Sequence, residues 1–341
     1  MQQSRLGVAI GIAASALAAL AQQTPGAGPY KVVKTVKVGG AGGFDYVYAD
    51  VDGRRLYIPR PGATGARITV FDLDSLASVG EIPNANARGV AVDPKSHHGF
   101  ATSKPVVMWD TKTLAIIKTI DVEGGPDGIL FDPFNSRVWV FSHRAPNATV
   151  IDAKDGSTAG TVDLGGAPEQ AVSDGKGHVW VDIEDKDNIA AVDAKTLKVM
   201  AHYDLAGKGG GPGGLALDEK HHILFAACHE PATMVILNAE DGKIITTLPI
   251  GQGVDGAGFN PHTMEAFSSQ GDGTLTVIKE NSPTSFEVEQ NVKTRPGART
   301  MTVDTKTNQV FSITGELTPP PPGQRRGQML PDSFSIVVVG K

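Results

Sequence analysis

Three side chains of metal-ligating type recur about forty residues apart in the middle of the chain. They are His143, Glu184 and His229. Two imidazoles and a carboxylate form a ligand set for a divalent ion such as Zn²⁺, with coordination positions left for water or substrate. One hypothesis is therefore a divalent-metal site at these three residues, with the metal as cofactor. The alternative is that the histidines are solvated or hydrogen-bonded loop residues, since the three lack the short His-x-x-x-His spacing that fixes ligand geometry.

A second set of charged residues occupies one equivalent position in most of a series of similar segments. That position lies five residues before an aspartate or asparagine, and the charged residues found there are Asp45, Arg88, Asp127, Glu169, Asp255 and Arg299. If these positions surround one axis, carboxylates and guanidiniums share a ring, where close carboxylates raise one another's pKa unless a cation intervenes. We predict a ligand-binding site formed by these six residues and Lys104. The alternative is a structural role, with each acid bonded within its own turn. The sequence assigns no catalytic residue.

The segments that position these residues are repeats. Each has an apolar run ending in Asp or Asn, a turn, and further β-forming runs; the aligned residues are Asp50, Asp93, Asp132, Asp174, Asp218, Asn260 and Asp304. The alignment period is about 40 to 45 residues, which is typical of four-stranded propeller blades. We therefore predict an all-β fold, a seven-bladed β-propeller of four-stranded blades.

The two ends of the chain predict how the ring closes. The last unit has three strand-like runs, and the segment KVVKTVKVGG from Lys31 resembles the fourth run of the other units. An N-terminal strand that pairs into the last blade would remove the open sheet edge. We expect one propeller domain over residues 30–341, with blade 7 completed by residues 30–38.

The second runs of the units read LYIPR, GFATS, VWVFS, VWVDI, LFAAC, AFSSQ and VFSIT, and the third runs carry a V-x-D-x-x-T/D-G pattern. Together they resemble the YVTN-repeat (YncE-like) family of periplasmic seven-bladed propellers, over nearly the whole chain after its N-terminus. The resemblance implies the fold and export, and it assigns no reaction, since function must be argued from the site.

The N-terminus and the composition indicate where the protein acts. Residues 1–21 have one positive charge, an apolar run and a small-x-small end, as in a secretory signal peptide, and residues 22–29 form a short linker. We therefore expect a periplasmic or secreted monomer. No later run is long enough to span a membrane, and the net charge of -6 argues against nucleic acid as a partner.

Two functions remain open on the sequence alone. The first is an exported scaffold that binds a small molecule or a periplasmic protein through the channel-mouth face. The alternative is a metal-assisted hydrolase of lactonase type, in which the His/Glu/His set activates water and a carboxylate acts as general base. Asp127 and Glu169 would supply second-shell or additional oxygen ligands. Residues 315–332 form a long proline-rich loop on the same face, which could be a lid, a docking strip or an inserted surface loop. The paired histidines His97-His98 and His221-His222 fall in turns of the opposite face, where we expect them to be solvated.

Overall fold

The computed structural model describes residues 28–40, 42–145, 147–319, 327 and 329–341. The predicted signal peptide and most of the predicted linker lie outside these residues. The regular secondary structure of the described residues is antiparallel β-sheet, apart from one short 3₁₀ turn at Glu184–Lys186. In that part, no helix is long and apolar enough to cross a membrane.

Each of the first four blades contains four strands that follow one another in the sheet from the axis outward. Blade 1 contains β2 (Tyr48–Asp50), β3 (Arg55–Arg60), β4 (Arg67–Asp72) and β5 (Ser78–Pro83). Blade 2 contains β6 (Val90–Asp93), β7 (His98–Ala101), β8 (Val106–Asp110) and β9 (Ile116–Ile120). Blade 3 contains β10 (Pro126–Asp132), β11 (Arg137–Ser142), β12 (Asn147–Asp152) and β13 (Thr158–Asp163). Blade 4 contains β14 (Pro168–Ser173), β15 (His178–Ile183), β16 (Asn188–Asp193) and β17 (Lys198–Asp204).

The remaining blades complete the ring. Blade 5 contains β18 (Pro212–Asp218), β19 (Ile223–Cys228), β20 (Thr233–Asn238) and β21 (Ile244–Pro249). Blade 6 contains β22 (Val254–Asn260), β23 (Glu265–Gln270), β24 (Thr274–Ser282) and β25 (Ser285–Lys293). Blade 7 contains β26 (Met301–Asp304), β27 (Gln309–Thr314), β28 (Ser335–Gly340) and, as its outermost strand, β1 (Lys31–Lys37). β1 pairs antiparallel with β28, from Lys31 opposite Gly340 to Lys37 opposite Ser335. The predicted seven-bladed fold and its closure by the N-terminal strand are confirmed.

The repeated Asp or Asn ends the innermost strand of each blade with the same hydrogen bond. All seven side chains are buried, and one oxygen of each accepts a backbone N–H from two or three residues further on. Such Asx turns satisfy a backbone donor where the chain reverses. This local bond explains why the same residue type recurs at the period of the blades.

Apolar side chains between neighbouring blades form the core. Trp109 packs against Tyr57 of the preceding blade, with 5.8 Å between ring centroids. Gly99 lies opposite Trp109 across β7 and β8, and a Cβ on Gly99 would come within 2.2 Å of the indole. Trp139 and Trp180 occupy the interfaces between blades 3 and 4 and between blades 4 and 5. Burial at these interfaces holds the innermost strands around one axis, which is what positions the channel-mouth residues.

Candidate functional site

The charged ring predicted from the repeats lies around one cavity at one end of the channel. This mouth cavity has a volume of about 560 Å³ and is lined by Asp45, Arg88, Asp127, Glu169, Gly213, Asp255 and Arg299. The other predicted residues, Lys104, His143, Glu184 and His229, line the same cavity. The two sets meet because innermost strands begin, and antiparallel second strands end, at the same end of the blades. The structure thus brings every sequence-predicted site residue to one place.

Two arginines pair with the carboxylates of the ring. Arg88 contacts Asp45 at 2.9 Å (Nη1 to Oδ2) and Asp127 at 3.5 Å (Nε to Oδ1). Arg299 contacts Asp255 at 3.0 Å. The Arg88 side chain is 54% exposed, against 17% for Asp45 and 14% for Asp127. The guanidinium is therefore more open to solvent than the acids that it neutralises.

His143 lies between two carboxylates on the other side of the cavity. Its Nδ1 is 3.2 Å from Glu169 Oε2, and its Nε2 is 3.6 Å from Glu184 Oε2. The second oxygen of Glu169 accepts a hydrogen bond of 2.6 Å from the hydroxyl of Tyr46. Tyr46 belongs to the loop that enters blade 1, while Glu169 belongs to blade 4, so this bond crosses the channel. Burial, with the nearby carboxylates adding to it, raises the pKa of the Tyr46 hydroxyl, which therefore stays a donor.

Sequence reasoning missed two residues that connect blades across the channel. Tyr46 is one of them, and the other is Gln170, next to Glu169. The Gln170 carbonyl accepts the backbone N–H groups of Leu215 at 3.0 Å and Ala257 at 3.2 Å, and its amide donates to the Ala257 carbonyl. Gln170 thereby ties blade 4 to blades 5 and 6. The sequence signal for both residues is their position beside a ring acid.

Burial and charge shift two protonation equilibria in the mouth cavity. Burial, with Glu169 adding to it and Arg88 opposing it, raises the pKa of Asp127 to about 7. The contact with Glu169 raises the pKa of His143 to about 9, with Glu184 and Asp127 adding to the effect and burial opposing it. At neutral pH, His143 is therefore a cation that offsets the surrounding acids.

This protonation makes stability depend on pH through His143. Because its pKa rises on folding, the stabilisation is complete below about pH 6.5 and is lost as the pH rises through about 9. Solvent screening reduces the effect of this half-buried group, and we expect a loss of about 1 kcal/mol. In His143→Gln, the part of the decline between pH 6.5 and 9 that comes from this group should disappear, as urea unfolding at several pH values would measure. His202→Gln is the control, since His202 lies on the outer strand β17; equal pH profiles for the two variants would contradict the assignment.

The ligand atoms that could share a metal ion differ in part from the predicted set. Asp127, His143 and Glu169 each offer one ligand atom, and these atoms lie within 4.8 Å of one another. Glu184 lies at the edge of this group through its contact with His143. His229 lies beside Gly213, outside the group. One nitrogen and two carboxylate oxygens are a ligand set of the kind that Zn²⁺ accepts.

Some of the turn histidines on the opposite face connect blades. His98 Nδ1 lies 2.9 Å from the Ala153 carbonyl of blade 3. His221 Nδ1 lies 2.7 Å from Asp218 and 2.6 Å from Glu280, which is on β24 of blade 6. The expectation that these turns are solvated is therefore wrong for His98 and His221, because each side chain reaches the adjoining blade. His222, 47% exposed, fits that expectation.

Comparison with known proteins supports the fold. No family model and no curated protein matches the chain. Among solved structures, it is similar to the WD40 repeats of RRP9, with a TM-score of 0.71 and 10% identity over 93% of this chain and 99% of that one. It is also similar to U3-55K, with a TM-score of 0.72 and 10% identity over 92% of this chain and 99% of that one. At this identity the similarity shows the fold alone: the protein is a seven-bladed β-propeller with a polar cavity at its channel mouth.

Proposed function

We propose that the protein is an exported propeller that binds a small anionic molecule in the mouth cavity. The observation that carries this proposal is that the Arg88 side chain is much more exposed than Asp45 and Asp127, the two acids with which it pairs. Arg88 presents five N–H donors in total, and the two acids engage only Nη1 and Nε. The remaining donors suit the oxygens of a carboxylate or phosphate ligand.

Other cations strengthen the preference for an anion. Lys104, Arg144 and Arg299 line the same cavity as Arg88. Each of the four ring acids has a cationic partner: Asp45 and Asp127 share Arg88, Asp255 contacts Arg299, and Glu169 contacts His143. A volume of about 560 Å³ is within the range of small-molecule sites. Propellers also commonly bind proteins, and a protein partner is the outcome that remains if no small molecule binds.

Export to the periplasm or outside the cell is part of the proposal. It is supported by the charge, apolar run and small residues of positions 1–21, and by the resemblance of the blade motifs to the YVTN-repeat family. Fractionation of cells that express the full chain tests it. Recovery of the uncleaved chain in the cytoplasm would contradict it.

A metal-assisted hydrolase is the second candidate, and the convergence of Asp127, His143 and Glu169 favours it. These residues would hold a divalent ion, which supplies Lewis-acid activation of a carbonyl and of water when bound. Glu184, 3.6 Å from His143, is placed to act as a general base. Because metal must displace the proton of His143, zinc binding should strengthen as the pH rises from 7 to 9.

The experiment that tests the anion site is a thermal-shift panel on the purified protein. It compares succinate, glutarate, citrate and phosphate with neutral dimethyl succinate and with putrescine, a dication of similar length. An anion at about 100 times its Kd should stabilise the protein by about 2.7 kcal/mol, while the ester and the diamine should not. Zn²⁺ and simple lactones in the same panel test the hydrolase. Equal effects of succinate and its dimethyl ester, or no effect of any anion, would contradict the proposal.

A further inference from the structure

A second cavity adjoins the mouth cavity and has a different character. This side cavity has a volume of about 820 Å³ and lies between residues 315–317 and 329–333, which follow β27, and the loops that enter blades 1 and 7. Its apolar lining comes from Phe44, Pro296, Leu317, Met329 and Leu330. Its size is within the range that holds a small molecule, and apolar lining with few polar groups is typical of such sites.

Residues that line the side cavity are held in place by contacts with one another and with the core. Leu317 and Met329 face each other in an antiparallel bridge. Phe44 packs against Phe334, with ring centroids 5.5 Å apart. The side chains of Leu317 and Leu330 nevertheless stay 47% and 38% exposed. Large apolar side chains left exposed around a concavity indicate a surface that an apolar group covers.

Arg299 joins the two cavities, because its side chain lines both. It pairs with Asp255 at 3.0 Å and is 25% exposed. A guanidinium placed between a polar, charged cavity and an apolar one can bind a carboxylate while the rest of the molecule extends along the apolar wall. At the outer edge of the side cavity, Arg295 pairs with Glu316 at 3.2 Å.

We propose that the ligand is an amphiphilic carboxylate, with its acid group at Arg299 and Arg88 and its apolar body in the side cavity. This inference rests on the proposed anion site and adds the class of ligand. An aliphatic acid and an aryl-alkyl acid share this chemistry. The anionic group of the ligand would account for the exposed guanidinium of Arg88 in the mouth cavity. The apolar body would account for the exposed side chains of Leu317 and Leu330 beside it.

Titration calorimetry tests the inference with four carboxylates, each kept below its critical micelle concentration: butanoate, hexanoate, octanoate and 4-phenylbutanoate. Each CH₂ buried in the side cavity should tighten binding by about threefold to fourfold, so the affinity should rise steadily from butanoate to octanoate. A greater affinity for 4-phenylbutanoate than for octanoate would assign an aryl acid and also support the inference. Succinate, which has no apolar body, reports the anion site alone.

Two surface variants distinguish binding in the side cavity from binding in the mouth cavity. Leu317→Asp places a charge in the apolar wall and should abolish the dependence on chain length while leaving succinate binding intact. Ile117→Asp is the matched control, because Ile117 is equally exposed, at 47%, on β9 of blade 2. Equal affinities for butanoate and octanoate, with succinate still bound, would overturn the amphiphile and leave the anion site standing. Failure of every carboxylate, succinate included, would overturn both.

Discussion

Replacement of Arg60 by methionine should lower the free energy of unfolding by about 3 to 4 kcal/mol, since it leaves buried carbonyls without their charged donor. Arg60 lies on β3 and is 1% exposed. Its guanidinium donates to the carbonyls of Gly39, Gly40 and Gly43 at 3.1 to 3.3 Å and lies 3.7 Å from the centre of the Phe334 ring. These glycines belong to the connection from β1 to β2, so one side chain ties blade 7 to blade 1.

The comparison of Arg60→Met with two further variants tests this role by urea unfolding. Arg60→Lys should lose most of the same stability, because one ammonium group cannot reproduce the planar fork that reaches three carbonyls. Arg55→Met, on the same strand, should change stability by less than about 0.5 kcal/mol, because Arg55 is half-exposed and its contact with Asp72 is 3.5 Å long. A loss below about 1 kcal/mol for Arg60→Met would contradict the role.

Replacement of Asp182 by valine should stabilise the protein by about 1 to 3 kcal/mol, because a buried polar group without a partner costs about that much. Asp182 lies on β15, is 0% exposed, and neither carboxylate oxygen has a hydrogen-bond partner among the described residues. Its neighbours Val181 and Ile183 face the interface of blades 3 and 4, so Asp182 faces the opposite side with Trp180, toward blade 5. Burial, with Glu169 and Glu184 adding to it, raises the pKa of Asp182 well above its ordinary value.

The pH dependence of the free energy of unfolding shows whether the buried charge of Asp182 is the cause of the stability gained in Asp182→Val. An acid whose pKa rises on folding favours the folded state at pH values below its unfolded pKa of about 3.9, and this contribution is lost as the pH rises. The advantage of Asp182→Val should therefore grow between pH 4 and pH 7, as measured by urea unfolding at each pH. Asp182→Asn keeps the shape and the polarity but removes the ionisation, so it should remove the pH dependence with a smaller gain. A destabilised Asp182→Asn with unchanged pH dependence would show that the carboxylate has a partner.

The repeats predicted the architecture because it follows from local chemistry. The Asx turn at Asp93 or Asp218 forms within a few residues, so its side chain recurs at every blade and marks the period. Alignment of the blades also places equivalent residues at the same height and distance from the axis. That symmetry is enough to predict which residues line the mouth cavity.

Contacts between unlike positions could not be predicted in this way. The bond from Tyr46 to Glu169 crosses the channel between blades 1 and 4, and alignment does not show which side chains are long enough to meet there. The hydrogen bonds from Arg60 to the glycine carbonyls and the contact of His221 with Glu280 involve residue types that the aligned positions of the other blades do not carry. Alignment therefore does not predict them. Asp182 occupies a buried position of β15 that the strand pattern assigns to an apolar residue, so alignment does not predict a carboxylate there. The three main predicted metal ligands share only His143 with the group that the structure brings together; Asp127 and Glu169 enter the sequence prediction as additional oxygen ligands.

The central claim is that Arg88 and its neighbours bind an anion, and titration calorimetry of the protein with succinate tests it most directly. Arg88→Gln keeps a polar side chain but removes the charge, and Arg55→Gln is a control outside the cavity. The account predicts saturable binding to the unaltered protein and to Arg55→Gln, and a loss of affinity of at least tenfold in Arg88→Gln, since hydrogen bonds to a charged group contribute about 1.5 to 3 kcal/mol. Equal affinity in all three proteins, or no binding to any, would contradict it.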